Sequence, residues 1–350
     1  MSGPLRLSVV LPLGGELPRL LETAIAMERA GVDVLAVPEA YSMDCVSLLG
    51  FLAAHTSRVE LASQILPIYS RTPALLAMTA AGLDRVSQGR FRLGLGASGP
   101  QVIEGWHGVR FDRSPARTRE IVAVCRRVWR REPLSHDGDL YPLPLPKGRG
   151  GSGLGKPLTL IERPVRDRIP IYLAALGPRS VELTAEIAEG WIPFVYVPEL
   201  ADRVWAEPLA RGRERRDPAL GPLQVSAGGP FAITDAPWPL RDLGRERLAL
   251  YVGGMGARGA NYYHAVASAY GFADEADRVQ ELYLAGRKPE AAAAVPAGLL
   301  EGTSLIGDED YLRARLRAYV DAGVTTLQID PVGPRPLADI ARLRELVDAL

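Results

Sequence analysis

The sequence contains little cysteine and histidine and has no excess charge of either sign. Its 350 residues include two cysteines and four histidines, and 41 acidic residues balance 41 basic ones. Cys45 and Cys125 lie far apart and form neither a C-x-x-C motif nor a disulfide framework, which indicates a reducing cytoplasm. The balanced charge excludes bulk electrostatic attraction to nucleic acid or to an anionic membrane surface.

Long hydrophobic runs are also missing. No apolar stretch reaches the length of a membrane span, and Pro12, Gly14 and Gly15 break the N-terminal run, which no basic leader precedes. We interpret that run as a strand and not as a signal peptide. The histidines are not grouped with cysteines or acids at metal-ligand spacing, and neither G-x-S-x-G nor H-E-x-x-H occurs. The sequence therefore predicts no metal site.

What the sequence does contain is a regular alternation of strand and helix patterns in a chain that is 47% hydrophobic. The predicted strands are 5–11, 32–37, 59–66, 91–96, 169–174, 191–195, 223–233 and 324–329. The predicted helices are 17–30, 44–55, 73–87, 115–130, 177–188, 199–211, 308–322 and 337–350. Eight strands, each followed by helix, favour a closed (β/α)8 TIM barrel over an open doubly wound α/β sheet.

Two stretches interrupt this alternation. Proline and glycine are dense between 132 and 168, which predicts a surface insertion, part hairpin and part mobile loop. From 240 to 300 the chain is rich in alanine, arginine and glutamate, which predicts a helical segment without strands. No boundary cuts the barrel, so the chain is predicted to be a single domain over 1–350.

Candidate functional residues lie where the predicted strands end, because barrel active sites form at the C-terminal ends of the strands. In the fourth strand, Gly94 and Gly96 leave the backbone bare where another group must approach closely. The strand leads into Ser98 and Gly99, whose hydroxyl and N–H groups suit an anion or a flat ring. A tight turn without a ligand is an equal alternative. Glycine-rich turns are common.

A second candidate is the start of the helix after the fifth strand. Pro178 begins that helix, whose free N–H groups and dipole favour an anion, and Arg179 adds a positive charge. A proline-started helix with a solvated arginine is the alternative. Glu39 ends the second strand, where partial desolvation suits acid/base work. It could equally cap the following turn or pair with a nearby arginine.

Four segments together carry a resemblance to a known family. They are G-R-F-x-L-G-L-G-A-S-G-P-Q-V-x-E-G-W-H-G at 89–108, A-R-T-R-E at 116–120, A-A-L-G-P at 174–178 and Y-V-G-G-M-G-A-R-G at 251–259. In this order they resemble the bacterial-luciferase-like oxidoreductases, and most of all the branch that uses the deazaflavin coenzyme F420. The resemblance implies a TIM barrel, a homodimer, and hydride transfer between C5 of the deazaflavin and an organic substrate.

The same resemblance implies a cofactor site, residue by residue. Gln64 and Ile65 fall where members of this branch place a non-prolyl cis peptide behind the deazaflavin ring; an ordinary trans bend is the alternative. The small residues after the fourth strand would line the ring and the ribityl chain, and the helix start at Gly177 would hold the phosphate. The implied cofactor-binding residues are Glu39, Gln64, Ile65, Gly96, Ala97, Ser98, Gly99, Ala175, Gly177, Pro178 and Arg179.

The chain departs from the branch at the turn after the second strand. Several members have an Asp-His pair there, with the histidine as catalytic acid or base, and this chain has Glu39 and Ala40. Proton transfer would then fall to Glu39, to Tyr41 or to the substrate itself, and we predict the first two as catalytic residues. Two alternatives stay open: an FMN-dependent monooxygenase, and a non-redox binding barrel that has lost hydride chemistry.

Overall fold

The computed structural model describes residues 5–12 and 14–350. Its strands are β1 (Arg6–Val10), β2 (Val34–Val37), β3 (Glu60–Ser63), β4 (Leu66–Pro67), β5 (Phe91–Gly96), β6 (Ile171–Ala174), β7 (Gly190–Ile192), β8 (Gln224–Ile233), β9 (Leu305–Gly307) and β10 (Thr326–Pro331). The α-helices are α1 (Leu17–Arg29), α2 (Cys45–His55), α3 (Pro73–Val86), α4 (Pro100–Ile103), α5 (Ser114–Trp129), α6 (Pro178–Ile187), α7 (Asp202–Glu214), α8 (Trp238–Asp242), α9 (Arg245–Ala249), α10 (Tyr262–Ala269), α11 (Ala273–Leu284), α12 (Lys288–Ala293), α13 (Ala297–Gly302), α14 (Glu309–Asp321) and α15 (Pro336–Asp348).

The strands close into a parallel barrel. They follow the order β10, β1, β2, β3, β5, β6, β7, β8, and β8 pairs with β10 to complete the ring. The predicted (β/α)8 barrel is thus confirmed, and all eight predicted strands are present. Two further strands are too short to give a periodic signal: β4 continues the line of β3 along β5, and β9 pairs with the far end of β8.

Several helices begin where the sequence supplies a cap. The Asp44 carboxylate accepts the N–H of Ser47 at the start of α2, and the Asp308 carboxylate does the same for Tyr311 at α14. Such caps stabilise a helix by about 1 kcal/mol because they satisfy N–H groups that have no partner within the helix. Helix α7 begins three residues later than predicted, at Asp202, and continues through Pro208 to Glu214.

The main hydrophobic core lies between the barrel and the surrounding helices. Alternate residues of each strand point outward into it, for example Leu93 and Leu95 of β5, and the largest fully buried side chains there are Trp129, Trp191 and Trp205. Burying each large apolar side chain contributes about 1.5–3 kcal/mol. This layer holds the strand ends, and therefore the candidate site, in fixed positions.

The remaining residues of each strand point into the barrel, because successive side chains alternate in direction. On the β1–β3 side they form a separate apolar cluster of Val34, Ala36 and Ala62, with Val10 packed against it. The rest of the interior is largely polar. Its buried polar and aromatic residues include Ser8, Arg92, Tyr172, Ser226 and Thr326.

The two insertions have the predicted character. Residues 132–168 contain an antiparallel bridge between His136 and Leu143 and a 3₁₀ turn at Lys147–Arg149; the mobility of part of this insertion stays a prediction. Residues 240–300 are helical, with a π-helical turn at Leu250–Gly254 between α9 and α10. Among the described residues, no helix is both long and apolar enough to cross a membrane.

Candidate active site

A bulge between β3 and β4 shapes one wall of the barrel mouth, which is the end where the strands terminate. Ala62 pairs with Arg92, but Leu66 pairs with Leu95, so three residues at 63–65 oppose two on β5. The extra residue makes the chain bulge out of the regular ladder. Within the bulge the peptide bond between Gln64 and Ile65 is cis, as the resemblance implied.

The bulge explains the two bare positions of β5. A Cβ at Gly94 would lie 1.9 Å from the Ser63 carbonyl oxygen, and one at Gly96 would lie 3.0 Å from the side chain of Ile65. The Ser63 hydroxyl also accepts the Gly94 N–H and donates to the Gly94 carbonyl, both at 2.9 Å. The group that approaches these glycines is therefore the chain itself, and a ligand is not needed to account for them.

Two glutamines cross the barrel just below the mouth. The side-chain amide of Gln64 donates to Oε1 of Gln328 at 2.5 Å, which joins the bulge to β10. Both side chains are half-buried. Because β1 and β2 lie between these two elements in the sheet, the pair spans the interior. We call this pair the glutamine floor of the mouth.

Glu39 is held in a nearly buried ion pair. Its two carboxylate oxygens accept hydrogen bonds from the Arg71 guanidinium at 2.6 and 2.9 Å, and one of them also accepts the Cys45 N–H at 3.2 Å. The hydrogen bond to Glu39 raises the pKa of Arg71. Burial raises the pKa of the neighbouring Cys45 thiol. The arrangement is the one named above as the alternative, a carboxylate that pairs with an arginine and caps the next turn.

Tyr41, the other predicted catalytic residue, is 68% exposed, and Trp106 is 66% exposed. The two rings come from different loops at the mouth, after β2 and after α4, and their centroids are 6.4 Å apart. Large exposed aromatic side chains at a strand-end rim suit a binding surface for an apolar group. This pairing could not be predicted from local sequence patterns, because the two residues belong to separate loops.

The small-residue turn after β5 is open. Ala97 and Gly99 are half-buried and Ser98 is exposed, with a φ of 59° that places it in the left-handed region. Non-glycine residues adopt that region rarely, and it occurs often at functional sites. Gly99 is the N-cap of the short helix α4 and offers no side chain to cap it.

The start of α6 is also uncapped. Gly177 precedes Pro178 at the first position of the helix, and no side chain of the described residues caps the helix start. Arg179 is exposed and forms no ion pair with the described residues. The ring of Tyr262, from α10, lies against Gly177, where a Cβ would be 2.6 Å from it. The position of Tyr262 could not be predicted from the sequence, since it comes from the helical insertion.

The side chain of Ala175, one of the predicted cofactor-binding residues, lies outside the barrel interior. Its side chain belongs to the hydrophobic core between barrel and helices, and its carbonyl oxygen accepts the indole N–H of Trp191 at 2.9 Å. Because the strand alternation turns this residue outward, its side chain does not face the mouth. The residue before it, Ala174, is the one on the inward side.

A second ion pair lies at another part of the rim, on β10, which β1 separates from β2. Arg247 of α9 donates to Asp330 of β10 at 2.6 Å, and its guanidinium lies over the ring of Phe194 at 5.5 Å. Phe194 also contacts Tyr251, with ring centroids 4.5 Å apart. The helical insertion therefore supplies a cationic and aromatic wall to the mouth.

Comparison with known proteins finds a matching family and similar relatives for this chain. A family model described as luciferase-like monooxygenase matches residues 5–326. The chain is 39% identical over 330 residues to a putative coenzyme F420-dependent oxidoreductase of Mycobacterium tuberculosis, with 92% of this chain and 93% of the relative covered.

Two solved structures share the fold. An F420-dependent tetrahydromethanopterin reductase from Methanopyrus kandleri matches with a TM-score of 0.78 at 20% identity, over 99% of both chains. An F420-dependent secondary alcohol dehydrogenase in complex with an F420–acetone adduct matches with a TM-score of 0.73 at 19% identity, also over 99% of both chains. With the family model matching almost the whole barrel, the chain belongs to the luciferase-like monooxygenase family.

Proposed function

We propose that this protein is an F420-dependent oxidoreductase that moves a hydride between the coenzyme and a small organic substrate. The choice of coenzyme depends on one observation, the match over 92% of the chain to a relative named as F420-dependent. The geometry supports a cofactor that carries a phosphate, since a helix start without a side-chain cap among the described residues and the exposed Arg179 lie together at the mouth.

The residues of the mouth fit such a group. The N-terminus of α6 and Arg179 would hold the phosphate, the open turn at Ser98 and Gly99 would follow the ribityl chain, and the bulge containing Ile65 would lie behind the ring. When bound, the deazaflavin supplies C5 as the position that gives or takes the hydride. The protein's part is to orient the two reactants and to exclude water.

The aromatic rim and the ion pairs define what the chain itself contributes. Tyr41 and Trp106 would cover an apolar part of the substrate, and the exposed phenol of Tyr41 is the group free to exchange a proton with it. Both carboxylate oxygens of Glu39 accept hydrogen bonds from Arg71. Glu39 can therefore act as a base only after one of these two hydrogen bonds breaks. In this structure it fixes the loop that carries Tyr41.

We also propose a homodimer. Helices α2 and α3 contact each other and expose Phe51, Leu75 and Met78, which are 37%, 46% and 54% exposed. A second copy that covers this apolar face would remove it from water. Sedimentation equilibrium of the purified protein measures the mass, and a monomer at micromolar concentration would contradict the proposal.

The coenzyme assignment is tested by equilibrium binding of F420 and of FMN, followed through tryptophan quenching. We expect the wild type to bind F420 with micromolar or tighter affinity and FMN weakly. Arg179→Ala should weaken F420 binding by roughly ten- to a hundredfold, because a charge-assisted hydrogen bond to phosphate contributes about 1.5–3 kcal/mol. Arg317→Ala is the matched control, since Arg317 is an exposed arginine of α14 without an ion pair among the described residues.

The outcomes separate the alternatives. Tight binding of FMN with little for F420 would assign the protein to the flavin-dependent monooxygenases. Binding of neither cofactor would overturn the redox proposal and favour a non-redox binding barrel. Equal losses in Arg179→Ala and Arg317→Ala would show that the phosphate does not lie at α6.

A further inference from the structure

Strands β7 and β8 separate before they reach the mouth of the barrel. Their pairing ends at Trp191 and Val225. Strand β7 itself ends at Ile192, whereas β8 continues to Ile233. Beyond the last pair lies a cavity of about 440 Å³, a volume that includes its opening to solvent. The cavity is therefore a gap in the barrel wall, and the helical insertion covers this gap from outside.

The lining of this cavity carries positive charge. It contains Arg241 of α8 and Arg247 of α9 and, among the described residues, no acidic side chain. The carboxylate partners of these arginines, Glu301 and Asp330, do not line the cavity, and their side chains are 49% and 44% exposed. Water screens charges at such exposed positions far better than it screens charges beside a covered cavity. The cavity therefore favours an anion.

Arg241 has a donor that is not satisfied. The residue is 5% exposed, and its two terminal nitrogens donate to the Glu301 carboxylate at 3.1 Å and to the Ile306 carbonyl at 2.8 Å. Its Nε is buried and has no hydrogen-bond partner among the described residues. Buried polar atoms are nearly always hydrogen-bonded. Because Arg241 lines the cavity, an oxygen atom of a bound anion can supply the acceptor that the chain does not.

The turn after β7 is held in a rare conformation beside the same cavity. Val195, which lines the cavity, has a φ of 55°, in the left-handed region that β-branched residues seldom adopt. The Tyr270 hydroxyl donates to the Val195 carbonyl at 3.0 Å and accepts the Val197 N–H at 3.3 Å. These bonds fix the turn that carries Phe194, and the Arg247 guanidinium lies over the Phe194 ring. Strained backbone of this kind is concentrated at functional sites.

The cavity borders the mouth of the barrel. Gly228 and Pro230 of β8 line it, and both are half-buried. Gly228 pairs with Gln328 of the glutamine floor, and Pro230 pairs with Asp330. Arg247 joins the two places, because it lines the cavity and also donates to Asp330 at the rim. A molecule bound above the glutamine floor can therefore extend a short group to Arg247.

We propose that this cavity binds a carboxylate group of the substrate, an inference that rests on the proposed function. Arg247 is the residue that binds it, by giving up Asp330 and donating to the substrate carboxylate instead, because the planar fork of an arginine matches two carboxylate oxygens. Arg241 supplies a second positive charge and, through Nε, a further donor. The substrate class is therefore small organic acids.

Acetate tests the carboxylate site, and acetamide is its neutral match. Saturation-transfer NMR of the methyl group gives the dissociation constant of each compound for the F420-loaded protein. We expect acetate to bind about tenfold more tightly than acetamide, or better. Arg247→Met should weaken acetate binding by roughly ten- to a hundredfold, the range expected for the loss of a charge-assisted hydrogen bond. Arg317→Met, at an exposed arginine of α14, should leave acetate binding unchanged.

Asp330→Asn should change acetate binding in the other direction. It removes the carboxylate that competes for Arg247, so acetate should bind about two- to fivefold more tightly, which is the range that an exposed ion pair is worth. A purely structural role of the ion pair predicts no such gain, and this variant keeps the proposal testable if Arg247→Met fails to fold. Weaker or unchanged acetate binding in Asp330→Asn would overturn the proposal. Equal binding of acetate and acetamide, or unchanged acetate binding in Arg247→Met, would do the same.

The same measurements on the protein without F420 separate this proposal from the proposed function. If the protein binds acetate through Arg247 but does not bind F420, the proposed function fails and the carboxylate site is supported. If it binds F420 and its acetate binding does not depend on Arg247, the carboxylate site fails and the proposed function is unaffected. If loading with F420 abolishes acetate binding, the cavity holds a group of the coenzyme, and the assignment to the substrate is overturned.

Discussion

Two carboxylate–arginine pairs lie at different places on the rim of the same mouth, and they differ in burial. The side chains of Glu39 and Arg71 are 9% and 14% exposed, with two direct hydrogen bonds between them. Those of Asp330 and Arg247 are 44% and 42% exposed and share one. Removing one partner of a buried pair leaves an uncompensated charge in low dielectric, whereas water readily replaces either partner of an exposed pair.

The comparison separates a fixed rim from an adaptable one. Glu39 and Arg71 belong to loops of the barrel itself, and the pair also engages Asp44 and the Cys45 N–H at the start of α2. Arg247 comes from the helical insertion and is free to exchange Asp330 for another acceptor. An anionic group of a substrate would therefore meet Arg247 and not Arg71.

The largest effect should come from Arg71→Met. This change leaves the Glu39 carboxylate nearly buried and unpaired, and we expect the free energy of unfolding to fall by about 3 kcal/mol. Urea unfolding measures it. The double variant Glu39→Gln with Arg71→Met should recover most of the loss, because no buried charge is then left without a partner. Asp44 also loses Arg71, but its side chain is 46% exposed, so water can replace that partner. If Arg71→Met lowers the free energy of unfolding by less than about 1 kcal/mol, water reaches the Glu39–Arg71 pair as easily as it reaches the Asp330–Arg247 pair.

Glu28 extends this comparison, because its buried carboxylate is held by backbone N–H groups and not by two hydrogen bonds from one arginine. Burial opposes ionisation of Glu28, but its carboxylate accepts the N–H groups of Val59, Arg58 and Ser57, and together these lower its pKa. A pKa lower in the folded state means that the contribution to stability is complete above the pKa of the unfolded chain. It is lost as the pH falls through the folded value.

We therefore expect Glu28→Gln to destabilise the protein by about 1.5 kcal/mol at pH 7, since hydrogen bonds to a charged acceptor are the stronger ones. The difference from the wild type should shrink as the pH falls below the ordinary glutamate range, and urea unfolding at pH 7 and pH 3 measures it. Glu22→Gln, at an exposed position of the same helix, is the control. A stability difference of the same size at pH 3 would mean that the side chain of Glu28 contributes through its packing and not through its charge.

The smallest effect should come from Asp330→Asn. Exposed ion pairs contribute about 0.2–1 kcal/mol and are screened by salt, so we expect a loss below about 1 kcal/mol that diminishes at high ionic strength. Unfolding in low and high salt measures it. A loss above about 2 kcal/mol, or one that salt leaves unchanged, would remove the distinction between the two rims.

The repeating pattern of the sequence was sufficient for the barrel but not for its contacts. Strand and helix periods depend on neighbouring residues, so the eight strands could be found from one sequence. β4 spans two residues and β9 three, which is too short for any period. Arg71 lies far along the chain from Glu39, and its position just after the third strand was the one available signal for their pairing.

The contacts within the candidate site also could not be predicted from local sequence patterns. Arg92 alternates with apolar residues in β5, so its sequence context indicates a strand and does not reveal that its guanidinium lies over the ring of Tyr172 inside the barrel. The contact between Tyr262 and Gly177 depends on how the helical insertion folds back, which local periods do not determine. The glycines at 94 and 96 signalled a close approach correctly, but only the structure identified the approaching group as the bulge.

Strand β8 is longer than its neighbours, and its two halves serve different partners. Residues up to Phe231 pair with β10 and close the ring, while Phe231, Ala232 and Ile233 pair with β9. The chain thus departs from β8 into the helical insertion and comes back alongside that same strand. Such a segment can lengthen, shorten or be exchanged between relatives without opening the ring. The residues that the insertion brings to the mouth can therefore change while the ring of strands stays constant.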